Sequence, residues 1–345
     1  MQPLLLLKKE AALRSPSISR FEWPTALLMV VTYLVWAAGT FLWPSHPILA
    51  MAITAWAIAQ FSSLQHEVLH GHPFRNQTVN EALVFPALTL WVPFRRFRDL
   101  HLLHHHDPAL TDPYDDPESN YLDPDHWQRL GPVVKWILRW NNTLLGRMVI
   151  GPVLATTTFL RNEAALVVKG DPLAVKAWLL HGGAVAMVLG WLLFWHSMTI
   201  PAYLAASYLA MALLRIRTFL EHRAHATCRG RTVVIEDRGP LALLFLNNNF
   251  HAVHHMHPHL PWYGLPAAYA SQRDYYLRRN DGYVYESYGQ IFRQYLLWAK
   301  DPVPHPIWPV NPRTDTRPGS AHSFDQSSLR NAGLGPELSK NGTPG

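Results

Sequence analysis

The stretch FRRFRDLHLLHHH, residues 94–106, sets three arginines against four histidines. Neither a packed core nor a solvated face needs imidazole at that density. Two further packets stand far away in the chain, HEVLHGH at 66–72 and HAVHHMHPH at 251–259. On a helix, positions i, i+3 and i+4 share a face. His101, His104 and His105 have that spacing, and so do His251, His254 and His255. His66 and His70 form an i, i+4 pair. At ~100° per residue, His106 lies about 140° round from His101, and His72 about 240° round from His66, off the shared faces. The spacing thus selects eight imidazoles, and a segment EHRAH, 221–225, offers His222 or His225 as a ninth.

Working outward, the packets follow long apolar runs. Residues 25–43 and 48–64 are apolar, and so are 177–195, apart from one histidine, and 200–214. A run of this length at ~1.5 Å per residue reaches most of the way across a ~30 Å hydrocarbon layer. Charged residues make up only 16% of the 345-residue chain, and it has 14 tryptophans, a composition that points to a membrane. Shorter apolar stretches, 82–93 and 148–160, are too short to span; re-entrant, interfacial and buried placements remain open. Trp23, Trp36, Trp43, Trp56 and Trp91 read as interface anchors. Arginines and lysines (Lys8, Lys9, Arg14, Arg20, Arg75, Arg95, Arg96, Arg98, Lys169, Lys176, Arg215, Arg217, Arg223) flank the runs on one side only. The turns WPSHP and HSMT have none. The positive-inside rule then places both termini and every packet in the cytosol. The expected fold is an all-α integral membrane protein with about four transmembrane helices and a cytosolic helical cap carrying the histidines. A cytosolic lead-in (1–20), a membrane domain (21–302) and a disordered, proline- and glycine-rich tail (303–345) complete the division.

Eight or nine imidazoles exceed what one metal ion takes, and two ions would use them all. The single cysteine, Cys228, excludes a thiolate site. The net charge of +6 is modest and without a long basic run, so no nucleic-acid partner is expected. Imidazole suits iron, zinc, copper and nickel, so the donors alone do not name the metal.

HEVLH, HLLHH and HAVHH, in this order and with paired spans around them, resemble the histidine boxes of the membrane fatty acid desaturase and hydroxylase superfamily, over roughly residues 20–300. RTFLEHRAH and NFHAVHHMHPHLPWYGLP are similar to bacterial acyl desaturases and to carotenoid ketolases. The resemblance implies two iron ions in a non-haem centre, O2 as co-substrate, and a lipid or acyl substrate. It also implies an external electron donor of ferredoxin, rubredoxin or cytochrome type, since no haem-domain motif HPGG is present. The expected activity is fatty acyl desaturation in a bacterial cytoplasmic membrane. Hydroxylation or ketolation of a lipid or carotenoid is the alternative on the same site, and a metal transporter is a remote one.

Bound histidines commonly donate their second N–H to a carboxylate. Glu67, Asp99, Asp107 and Glu221 lie beside the packets and are the candidates. Among Asn247, Asn248 and Asn249, one amide is expected to serve the site. The acidic segment 107–125 reads as an ordered cytosolic loop, and Arg95, Arg96 and Arg98 as headgroup contacts.

Overall fold

The computed structural model describes residues 21–105 and 109–308. The lead-in 1–20, residues 309–345, His106 and Asp107 lie outside the described residues. Among the described residues, three helices are long and apolar enough to cross a membrane: α1 (Trp23–Leu42), α2 (Pro47–Leu69) and, later in the chain, Pro172–Phe194. Between α2 and that helix come α3 (Phe94–His104), which bears the second histidine packet, and α4 (Gly151–Val168). Pro172–Phe194 is therefore α5, and α6 (Ile200–Thr218) follows it. The fourth expected span falls in α6, which is not among the three apolar spans and ends on Arg215 and Arg217. A short α7 (His251–Met256) carries the third packet. Among the described residues the fold is all-α except for a parallel pair of two-residue strands, β1 (Val234–Ile235) and β2 (Val284–Tyr285).

Proline opens α1, α2, α4, α5 and α6 at the first or second helical position. There its missing N–H costs no helical bond and its fixed φ suits the helix. Asp171 caps α5 by accepting from the backbone N–H groups of Leu173 and Ala174. The core gathers on α2, which packs on both α1 and α6. Close approach is written in small residues. A Cβ on Gly39 of α1 would stand 2.6 Å from Thr54 Oγ1 of α2. Ala202, Ala206 and Ala210, spaced by four, form the buried face of α6.

The 82–93 stretch is re-entrant in form: a largely non-helical segment lodged among the long helices. Backbone in such a place must have its polar groups paired. Tyr33 donates to Leu83 O at 2.7 Å, Tyr203 to Leu88 O at 2.8 Å and Ser207 to Thr89 O at 2.6 Å. His181 Nε2 pairs with Leu90 O at 3.0 Å, and Ala87 N donates to Ala184 O at 3.3 Å. Two tryptophans read as interface anchors serve inside this network instead. Trp36 is buried and donates to Tyr203 Oη at 2.9 Å, and Trp91 donates to Ser207 Oγ at 2.9 Å.

All but the first three residues of the 148–160 stretch lie within α4, which packs on α5 and α6. Glu163 of α4 is buried and takes a bidentate pair from Arg96 of α3 at 2.9–3.0 Å, with Trp178 Nε1 at 3.1 Å. Arg95 and Arg98 bind Glu81, and Arg98 also binds Asp99. The three arginines expected at lipid headgroups are thus each paired with a carboxylate of the chain. Residues 303–305, expected in the tail, are packed: Leu122 N donates to Val303 O and His305 N to Leu122 O.

The histidines lie at helix ends. His66 and His70 close α2, and His222 follows the end of α6 by four residues. All three reach one site, so α2 and α6 run in the same direction.

Candidate metal centre

Nine imidazoles from four places in the chain converge in two groups. His66, His70, His101, His105 and His254 form one; His104, His222, His251 and His255 form the other. Within each group, one ring nitrogen per residue lies within 4.8 Å of all the rest. The groups interleave: α3 sends His101 and its C-cap His105 to the first and His104 to the second, while α7 sends His254 to the first and His251 and His255 to the second.

The nitrogens face one another closely. Nε2 atoms meet at 2.9 Å (His104 and His222), 3.0 Å (His101 and His105), 3.1 Å (His222 and His251) and 3.1 Å (His105 and His254). Two nitrogens bound at about 2.1 Å to one ion, at right angles, stand ~3.0 Å apart.

The outer ring atoms explain why the inner ones are lone pairs. His104 Nδ1 lies 2.8 Å from Asp116 Oδ1, and His101 Nδ1 2.9 Å from Glu118 Oε1. A carboxylate accepts, so each Nδ1 carries a proton, which leaves Nε2 bare whenever the ring is neutral. His251 Nδ1 lies 3.1 Å from Asn248 Oδ1, while Asn248 Nδ2 donates to Glu221 Oε1 at 3.1 Å. The amide is thereby oriented, and His251 Nε2 is bare too. Two bare nitrogens then converge on His222 Nε2, which has at most one proton to offer. His66 Nε2 and His70 Nε2 are buried with no hydrogen-bond partner among the described residues. Buried acceptors left so are costly unless a cation completes them. The donor set fits metal ions.

Electrostatics agree with neutral ligands. Burial, joined by neighbouring imidazoles, pushes His105, His222, His251 and His254 down from the ordinary histidine range. His101 is also lowered by burial, against the pull of Glu118. His104 differs. Burial opposes its charge, but Glu118, Asp116 and Glu221 outweigh that and lift it to about 9. Glu118 itself is pulled down: burial raises it, and His104 and His101 overcome that.

The expected set is only partly gathered here. His225 does not join; it pairs with Asp281 Oδ2 at 3.2 Å and stands away from both groups. Its backbone neighbourhood turns it outward, with His222 bridged to Thr232 three residues earlier. Asp99 binds Arg98 and faces Arg96 at 3.9 Å, so its carboxylate serves the arginines rather than a histidine. Glu67 Oε2 accepts from Trp262 N, and its Oε1 lies 4.0 Å from His66 Nδ1, beyond a hydrogen bond. Glu221 acts through Asn248 and pairs with Arg217. Asn247 and Asn249 bind backbone carbonyls, leaving Asn248 as the one amide at the site. His72 sits in a separate buried pair with Glu22 at 2.8 Å.

Three contributors went unseen in the sequence. Asp116 and Glu118 belong to the segment read only as a loop; its signal was a run of carboxylates within reach of the HLLHH packet. Lys300, whose amine burial pushes down to about 8, donates to His222 O at 2.5 Å and Phe219 O at 3.2 Å, fixing the turn that presents His222.

A largely helical protein with helices apolar enough to span a membrane and a polyhistidine site able to hold metal is the class this arrangement defines. The fatty acid desaturase family model matches residues 41–287, and the chain belongs to that family. No curated protein matches the chain.

Proposed function

We propose that the protein desaturates a fatty acyl chain with O2, using two irons. His66, His70, His101, His105 and His254 would hold one, and His104, His222, His251 and His255 the other. When bound, the iron pair supplies the oxidising power, drawn from O2, that an unactivated methylene requires. Converting CH2–CH2 to CH=CH releases two hydrogens; these, with two electrons from an external donor and two protons from solvent, reduce O2 to two waters. The donor is a ferredoxin-, rubredoxin- or cytochrome-type protein.

The chain's own residues do the rest. Asp116, Glu118 and Asn248 orient the imidazoles through Nδ1 and keep Nε2 free. The buried walls keep water from the site, which protects an oxidising centre from side reactions. The site faces the cytosol. Interleaving of the two histidine groups is the observation that carries this reading, since it couples two ions in one site. Metal transport is disfavoured because the histidines gather at helix ends rather than on broken helices at the midplane.

Lipid profiling of cells with and without the gene tests the reaction. The expected result is a new acyl double bond that requires O2. An oxygenated product would replace desaturation with hydroxylation or ketolation, and an unchanged profile would contradict both.

A further inference from the structure

The turn that presents His222 leaves α6 with the carbonyls of residues 219–222 to satisfy. Buried carbonyls past a helix end are costly when unpaired. Tyr283 donates to Leu220 O at 2.7 Å, and Val233 N to Glu221 O at 3.1 Å. The first and last, Phe219 O and His222 O, both accept from the amine of Lys300, at 3.2 and 2.5 Å. One side chain thus closes both ends of the turn.

His222 depends on its turn more than its neighbours depend on theirs. His101, His104 and His251 are each oriented by a partner on Nδ1. His222 Nδ1 is buried with no hydrogen-bond partner among the described residues. No outer hydrogen bond aims its ring, so the placing of its backbone must do so.

Lys300 belongs to a segment, 299–305, that also grips the other support of the same histidine group. Thr143 pairs with Ala299, and Leu122 with Pro304, as isolated β-bridges. Tyr121 donates to Asp301 Oδ2 at 2.6 Å and accepts from Ala224 N at 2.9 Å, so one hydroxyl joins the segment to the residues after His222. Thr111 Oγ1 lies 3.3 Å from His305 Nε2, and Thr111 N donates to Asp116 Oδ2 at 2.9 Å. The loop held in this way carries Asp116, the partner of His104.

Two of the four ligands in the second group, His104 and His222, therefore rest on 299–305. The first group leans on it less. His66 and His70 close α2, His105 caps α3 and His254 lies on α7, while His101 meets the loop through Glu118.

We infer that residues 299–305 are a clamp that assembles the second metal position, with Lys300 as the positioning residue for His222. The two ions are held unequally, and loosening the clamp releases the ion of the second group first. The inference rests on the two-ion reading and adds which part of the chain secures each ion.

The test titrates full-length, metal-free protein in detergent with Co2+, an ion that imidazole also suits. Bound ions are counted by elemental mass spectrometry, and circular dichroism checks the fold. The unaltered chain should bind two ions tightly. Lys300→Met keeps the length of the side chain and removes its donors; it should leave one ion tight and weaken the other about 10–100-fold. Adding His66→Ala to Lys300→Met should loosen the remaining ion, whereas adding His251→Ala should not. Tyr121→Phe, a milder change at the same clamp, should weaken the same ion in the same direction, and it decides the matter if Lys300→Met does not fold. Equal weakening of both ions, or two tight ions in the folded variants, overturns the clamp. A single ion in the unaltered chain contradicts the two-ion reading beneath it.

Discussion

Histidines four apart share a group, and the one at the third position crosses to the other. His101 and His105 stay together while His104 departs; His251 and His255 stay together while His254 departs. A helix explains this: four residues turn ~400° and three ~300°, so the third-position side chain points ~100° away from the fourth. The sequence spacing selected eight of the nine residues but read them as one face. It did not show the division, because the division depends on how the two short helices α3 and α7 meet in the fold. His222 and His225 were indistinguishable by spacing alone; the turn after α6, pinned by Lys300, separates them. At this scale, Asp116→Ala should weaken metal binding about 10–100-fold, the cost typical of losing a ligand's outer partner. His225→Ala should leave metal content unchanged. Metal titration of purified variants checks both, and equal losses would contradict the assignment of His225 to the exterior.

The re-entrant segment and the buried Arg96–Glu163 pair tie elements together. Apolar periodicity gave the long helices, because a spanning helix is written locally in composition. The re-entrant path of 82–93 was legible only as one of three options. Its carbonyls are satisfied by Tyr33, Tyr203, Ser207 and His181, residues scattered over three helices, and no local pattern announces them. Tyr203→Phe removes the donor to Leu88 O and the acceptor of Trp36 Nε1, and should cost about 1–3 kcal/mol per orphaned group. Glu163→Ala leaves Arg96 buried without its main partner, at a cost of about 3–5 kcal/mol. A double change, Glu163→Leu with Arg96→Met, should recover most of that loss. Thermal unfolding in detergent measures all three; a stable Glu163→Ala would show that the pair does not hold α3 against α4.

For the whole molecule, the metal site fixes topology. α2 and α6 deliver their C-terminal ends to the same site, so the turns before them, near Ser45 and His196, belong to the opposite face. Charge asymmetry in the sequence anticipated this arrangement, although α6 lacks the apolar character of the other spans and is instead an inner helix of small residues. Cysteine placed at Ser45 should react with an impermeant maleimide from outside intact cells, while a tag at either terminus should be reached only after permeabilisation. Tags reached from outside would contradict the orientation.

Iron stoichiometry bears on the central claim most directly. Purified protein, loaded with ferrous iron under anaerobic conditions and assayed by elemental mass spectrometry, should hold two irons per chain. His105→Ala and His104→Ala, one from each group, should each lower that number and abolish turnover. Binding of a single ion, or full iron with full activity in either variant, would contradict the account.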